Sequence, residues 1–257
     1  MPQLSYSEAP AAGMAGGDVD TGLSEVISRV LTTQKLVEIT VDATPADGAY
    51  TVTINGVEKA SFTASTSTTQ QVRDGLLSDL QAASGDFTAE GSSTNKILVE
   101  NTSEDADMTV AVAGGSSDIT AATLVAQGQE VPFGIGVVTD PRAASQAEQC
   151  RLPRLTGEIT AGTFLGVARC DTAREANAGG YKDGDAISIK HRGRIWVNTE
   201  GTVNEGGAVY CRYASGSGGS QLGAFRADAD TTTAALVPNA KFCKGRTGAG
   251  LAQIELL

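Results

Sequence analysis

The sequence predicts a mainly β protein: a barrel- or sandwich-like all-β body into which a small α+β domain, ordered β-β-β-α-β-β, is inserted. Three observations carry that expectation. The 257 residues are 40% hydrophobic but only 5% aromatic and include 31 glycines, a composition suited to short strands joined by tight turns. After residue 127 the strand-like runs follow one another closely with Gly or Pro between them, which favours a barrel or sandwich over alternating β and α units. Charge is unevenly divided: residues 36–126 hold 3 basic and 13 acidic side chains, whereas the flanking segments together hold 16 and 17. The overall charge of -11 therefore sits almost wholly in the middle of the chain, as expected of two modules with different surroundings. The expected organisation is an N-terminal arm and the start of the body over 1–35, an inserted acidic domain over 36–126, and the all-β body over 127–257.

Residues 1–22 are rich in Ala, Gly and Pro and show neither helical nor strand periodicity. They read as an extended arm that cannot offset its ordering entropy by internal burial and becomes ordered against the body or a partner. From Leu23 to Leu31 the apolar positions Leu23, Val26, Ile27, Val30 and Leu31 fit a short amphipathic helix or an irregular strand.

The acidic segment opens with a strand pattern over Leu36–Val41. Tyr50–Ile54 and Val57–Phe62 flank Asn55-Gly56, a type I′ hairpin signal because both turn residues need positive φ. Thr68-Thr69-Gln70-Gln71 matches a capping box. Val72, Leu76, Leu80 and Ala83 recur at helical spacing, Leu77 widens that face, and Gly85 is placed to stop the helix in a left-handed conformation. Strands over Lys96–Glu100 and Met108–Val112 complete the module, and pairing of Leu36–Val41 with Met108–Val112 would bring its two ends together.

In the body, strands are expected over Gly134–Val138, Phe164–Cys170, Ala186–Ile189, Ile195–Asn198, Ala208–Tyr213, Leu222–Phe225, Lys241–Cys243 and Leu251–Leu256. The segment from Lys182 to Ile189 is echoed by that from Asn204 to Cys211, each a polar turn with Gly followed by a strand, which is too brief to make a solenoid.

Several function classes are disfavoured. No apolar run approaches the length of a membrane-spanning helix, and the first residues have neither the basic flank nor the apolar core of a secretory signal, so synthesis and folding in a cytoplasm are expected. Cys150, Cys170, Cys211 and Cys243 are spaced too widely for a zinc ribbon, and Cys170, Cys211 and Cys243, in strand-like alternations, read as reduced, buried thiols. A pI near 4.6 opposes direct nucleic-acid binding. No cofactor and no metal are expected, and no catalytic residue.

The arm up to Ile27-Ser28-Arg29, resuming at Val131-Pro132-Phe133-Gly134-Ile135-Gly136-Val137-Val138, resembles the start of the structural cement (head decoration) proteins of tailed bacteriophages. The later order is also similar: Leu152-Pro153, Phe164-Leu165-Gly166-Val167, Tyr181 with Gly184-Asp185, Gly193-Arg194-Ile195-Trp196-Val197, Gly206 with Val209-Tyr210, Leu222-Gly223-Ala224-Phe225, Ala240-Lys241-Phe242 and Ala252-Gln253-Ile254-Glu255. Each motif is apolar and glycine-rich, and their order is what is specific. A minimal cement protein would lack the 36–126 insert, which looks like the accessory domains spliced into phage structural proteins.

The resemblance implies an all-β homo-oligomer, dimer or trimer, made in the host bacterial cytoplasm and held on the capsid exterior of the virion. There it clamps joints between subunits of the major capsid protein, with no direct nucleic-acid partner and no membrane. Mass action then explains stabilisation, because a protein that binds the assembled shell and not its loose parts favours the shell. Within the arm, Tyr6, Pro10 and Met14 are the expected capsid-contact anchors, and the acidic insert is expected to face solvent. The alternative is a head- or tail-associated adhesin whose insert binds a host surface ligand; an enzyme comes third.

Signals for catalysis or metal binding have ordinary explanations. Asp20-Thr21-Gly22 matches the aspartic-protease triplet, but no second triplet exists. Asp18-Val19-Asp20 imitates a calcium loop whose twelfth position is Arg29, not a carboxylate. Glu104-Asp105-Ala106-Asp107 and Asp228-Ala229-Asp230 read as solvated acidic turns. His191, the single histidine, lies in a strand beside basic residues. Ser215–Ser220 and Gly245–Gly250 lack the Lys-Ser/Thr pair of a phosphate loop, and Trp196 alternates with Ile195 and Val197 as a core or interface residue.

Overall fold

The computed structural model describes residues 15–18, 24–103, 106–114, 118–140, 148–170, 179–214 and 221–257. The chain divides into two units, one formed by Met1–Thr32 with Glu130–Leu257 and the other by Thr33–Gln129.

The first described strand of the first unit is β1 (Glu25–Leu31), which settles the choice between helix and strand over those residues in favour of a strand. The second unit then follows. Its strands are β2 (Leu36–Val41), β3 (Gly48–Ile54), β4 (Val57–Ala64), β5 (Phe87–Ser93), β6 (Lys96–Asn101), β7 (Val110–Ala113) and β8 (Ile119–Val125), with helix α1 (Thr69–Ala82) between β4 and β5. The hairpin is the expected one: Asn55 and Gly56 take φ of 52° and 77°, and Ile54 faces Val57 across the turn. The capping box is present, since Gln71 N–H donates to Thr68 Oγ1 and Thr68 N–H donates to Gln71 Oε1.

Three expectations for this unit are corrected. Helix α1 stops before Gly85, at Ala83, whose extended backbone (φ -75°, ψ 140°) turns the chain away while its N–H bonds to Asp79 O. Strands β5 and β8 escape the pattern because β8 buries only its first and last residues and β5 is interrupted by exposed positions, so neither alternates cleanly. The ends of the unit are joined by β2 and β8, antiparallel with Val41 opposite Ile119, whereas β7 pairs with β3. Two sheets result, in orders β5-β6-β2-β8 and β4-β3-β7. Their core contains Val37, Ile39, Tyr50, Val52, Ile54, Leu76, Leu80, Ile97 and Val99. Buried Tyr50 satisfies its hydroxyl by donating its one proton between two acceptors, Ala46 O at 2.8 Å and Asp118 Oδ2 at 3.1 Å.

The first unit resumes with β9 (Val131–Pro132), β10 (Gly136–Thr139), β11 (Gln149–Arg151), the short helix α2 (Thr156–Thr160), β12 (Phe164–Ala168) and β13 (Gly180–Tyr181). It ends with β14 (Ala186–Thr199), β15 (Ala208–Arg212), β16 (Phe225–Arg226), β17 (Ala234–Lys244) and β18 (Gly250–Leu256). The two strands expected at 186–189 and 195–198 are one continuous 14-residue strand, β14. The polar run between them is spanned because both of its neighbours keep pairing: Glu25 faces Arg192 and Gly193 faces Leu256.

The length of β14 sets the architecture. Its C-terminal half pairs with β18, and the order β18-β17-β15-β16 returns to β14 through Thr199 opposite Phe225, closing a five-stranded barrel. Its N-terminal half pairs with β1, and β1-β11-β10-β12 returns to β14 through Val167 opposite Lys190, closing a second ring of five. The barrel interior is filled by Ile195, Val197, Val209, Cys211, Phe225, Val237, Phe242 and Ile254. The echoed turns are alike in structure, with Gly184 and Gly206 at φ of 78° and 74° before β14 and β15.

Candidate functional site at the root of the N-terminal arm

The expected contact anchors Tyr6, Pro10 and Met14 lie outside the described residues. What is described is the root of the arm, Ala15 to Asp18, and it is bonded into the body. Gly16 N–H donates to Trp196 O at 2.8 Å, Trp196 N–H donates to Gly17 O at 3.0 Å, and Cys170 N–H donates to Gly16 O at 2.8 Å. Asp18 extends the contact as an antiparallel bridge to Ile195. Gly16 has φ of 72°, and a Cβ there would stand 2.5 Å from Cys170 N and 2.7 Å from Ala168 O. Both the left-handed backbone and the closeness of the body demand glycine at this point.

Asp18 locks the root by charge. Its Oδ2 accepts from Arg169 Nε at 2.7 Å and its Oδ1 from Lys190 Nζ at 2.8 Å. Lys190 keeps 1% of its side chain exposed and donates also to Ser24 Oγ at 2.5 Å. Burial pushes the Asp18 carboxyl up, but the hydrogen bonds and charges of Lys190 and Arg169 outweigh it and hold the group below its ordinary value. An ammonium so buried requires such partners.

A second ionic cluster braces the barrel. Arg212 in β15, 1% exposed, donates from Nε and Nη2 to the two oxygens of Glu200, both at 2.6 Å. Its Nη2 also reaches Asp230 Oδ2 at 2.7 Å and its Nη1 reaches Thr233 Oγ1 at 2.7 Å. Arg226 adds contacts to Asp230 at 2.7 Å and to Glu200 at 3.2 Å. The fork anchors a strained turn in which Asp230, Thr231 and Thr232 take φ of 42°, 55° and 87°, a conformation that survives only where its surroundings fix it.

The remaining chemical signals fall as follows. Asp228 and Asp230 are engaged by Arg226 and Arg212, and Asp107 by Lys35 at 3.1 Å, so these acidic turns are ion-paired. Asp20-Thr21-Gly22, Glu104-Asp105 and Ser215–Ser220 lie outside the described residues. Exposed His191 sets its Nδ1 2.6 Å from Leu165 O. The Gly245–Gly250 segment is the β17–β18 turn, where Gly248 N–H donates to Thr202 Oγ1 at 3.0 Å. Trp196 is half-buried and contributes its backbone to the arm root. No disulfide joins the four cysteines, and of the three expected to be buried only Cys211 is, since Cys170 and Cys243 are half-buried; burial pushes the Cys150 thiol up to about 12 and raises Cys211 further, suppressing the reactive thiolate.

Sequence reasoning missed the Asp18–Lys190 lock and the Arg212 cluster. Lys190 lies on the strand face opposite Ile187 and Ile189, where alternation alone places it in solvent; it is buried by Asp18, 172 residues away. No local pattern encodes that.

Fold and site together define a β-rich structural scaffold whose polar clusters brace the backbone and whose chain is bonded to the body at Gly16 to Asp18. The chain belongs to the phage structural cement protein family, described by E217 gp24 and Pam3 gp6, whose sequence model matches residues 81–257. The match starts inside α1 and takes in the rest of the acidic unit and the body from Glu130 onward. Membership gives the chain a structural role in a phage. No curated protein matches it.

Proposed function

We propose that this protein binds the exterior of the assembled phage head as a homo-oligomer and stabilises joints between major capsid protein subunits, performing no bond chemistry. The observation that carries this reading is the family match across the whole body after Glu130. The arm root supports it. A segment that reaches across to a neighbouring subunit transmits a holding force only if its base is fixed, and Gly16 to Asp18 are bonded to β14, Arg169 and Cys170. Residues 1–14, with Tyr6, Pro10 and Met14, are then the contact segment, ordered on the capsid surface at the cost of their freedom.

The test is decoration of purified heads that lack the protein. A chain deleted for residues 2–14 keeps the whole bonded root; it is expected to fold with unchanged circular dichroism and to lose head occupancy by at least about tenfold, equivalent to about 1.4 kcal/mol of binding. Wild-type occupancy by the truncated chain would remove the arm from the mechanism. Absence of the full-length protein from the outside of heads in a particle reconstruction would remove the cement reading itself.

A further inference from the structure

The acidic unit has four sheet edges, and they are not treated alike. On β4 the outward amide of Ser61 is taken by Asp79 of α1 at 3.1 Å, and Lys59 donates to Ser84 O at 2.8 Å. On β5 the carbonyl of Ala89 accepts from Gln81 of α1 at 3.2 Å, and the register shifts between Gly91 and Ser93. β7 is four residues long. These are the usual ways of blunting an edge: cover, charge, irregularity and shortness. Among the described residues, β8 shows none of them from Ile119 to Thr123. Its seven residues, Ile-Thr-Ala-Ala-Thr-Leu-Val, contain no charge, no Pro and no Gly. It keeps regular register with β2 from Thr123 to Ile119, it has no second strand partner among the described residues, and Thr120, Ala121, Ala122 and Thr123 are all exposed.

We propose that this edge takes up a basic, extended segment of another polypeptide as an added strand of the β5-β6-β2-β8 sheet. Main-chain hydrogen bonds to the outward groups of β8 supply the attachment. Charge selects the occupant: residues 36–126 hold 13 acidic against 3 basic side chains, and Asp42 and Asp118 stand at the Ile119 end, joined by the Asp42 N–H to Asp118 O bond of 2.7 Å. Two copies of so acidic a unit repel when brought edge to edge, whereas a segment rich in Lys or Arg is drawn in. The small side chains at Thr120–Thr123 leave room for the long stems of such residues to lie across the strand toward the carboxylates.

The experiment titrates the isotopically labelled full chain with a blocked decapeptide of alternating Lys and Thr, followed by nuclear magnetic resonance. Controls are the Glu-Thr counterpart and a Lys-Thr peptide N-methylated at four consecutive central residues, which keeps its charge but cannot pair on either edge. The expected result is saturable shifts centred on Ile119–Thr123, no binding of the acidic peptide, and affinity lowered at least about tenfold by N-methylation. Equal binding of the methylated peptide would reduce the effect to charge attraction and overturn the proposal. So would shifts centred elsewhere, no binding at millimolar peptide, or self-association of the chain through β8.

Discussion

Asp18 and Arg212 each hold together parts of the chain that are distant in sequence, and removing either is expected to cost more than its exposure suggests. Asp18→Asn leaves the Lys190 ammonium, 1% exposed, without its carboxylate, and is expected to lower stability by about 1–3 kcal/mol, seen as a lower urea midpoint with unchanged slope. Arg212→Ala leaves Glu200 and Asp230 with Arg226 as their one remaining guanidinium and is expected to cost about 1–3 kcal/mol. Arg212→Lys is expected to recover little, because an ammonium cannot serve two oxygens of Glu200, Asp230 and Thr233 with one planar fork. The pH dependence follows from direction. The hydrogen bond from Arg212 leads in holding the Asp230 carboxyl below its ordinary value, and Asp18 is lowered as well. Their contributions are present above the unfolded carboxylate pKa, about 3.9, and are lost as pH falls through the lower folded values. Urea midpoints are therefore expected to drop below about pH 4, and the drop is expected to be shallower in Asp230→Asn.

In α1, Gly75 opposes its own helix propensity for the sake of packing. A Cβ there would lie 2.1 Å from the Phe62 ring, so Gly75→Ala is expected to destabilise the acidic unit by about 1–3 kcal/mol even though alanine favours a helix by about 1 kcal/mol. Phe62→Leu in the same chain is expected to relieve the clash, and thermal melts of the two variants decide it. The elements that the sequence declared are those with a local cause. The Asn55-Gly56 hairpin, the Thr68 cap and the apolar face of Val72, Leu76 and Leu80 need only neighbours within a few residues. What local pattern could not supply is long-range: the covering of Lys190 by Asp18, the fusion of 186–189 with 195–198 through partners on both sides, and the choice of β8 over β7 as the strand beside β2. Gly85 misled because a glycine after a helix signals a left-handed cap, whereas Ala83 had already turned the backbone into an extended path.

The chain as a whole carries its acidic unit between β1 and β9, and the unit's two ends meet at the Gly128 N–H to Thr33 O bond of 2.9 Å. Excising residues 33–129 and linking Thr32 to Glu130 through a short glycine bridge is therefore expected to give a folded body. The excised unit, expressed alone, is expected to fold as well, each with a single calorimetric transition. Failure of the body to fold without its insert would show that the two units depend on one another. Within the body no such division is available. β14 is a wall of both rings, pairing with β18 and β16 in one and with β1 and β12 in the other, so its loss would open both. Mechanical tension entering at the Asp18–Ile195 bridge is delivered to the one backbone spar that both rings share, and is therefore expected to load the two rings together.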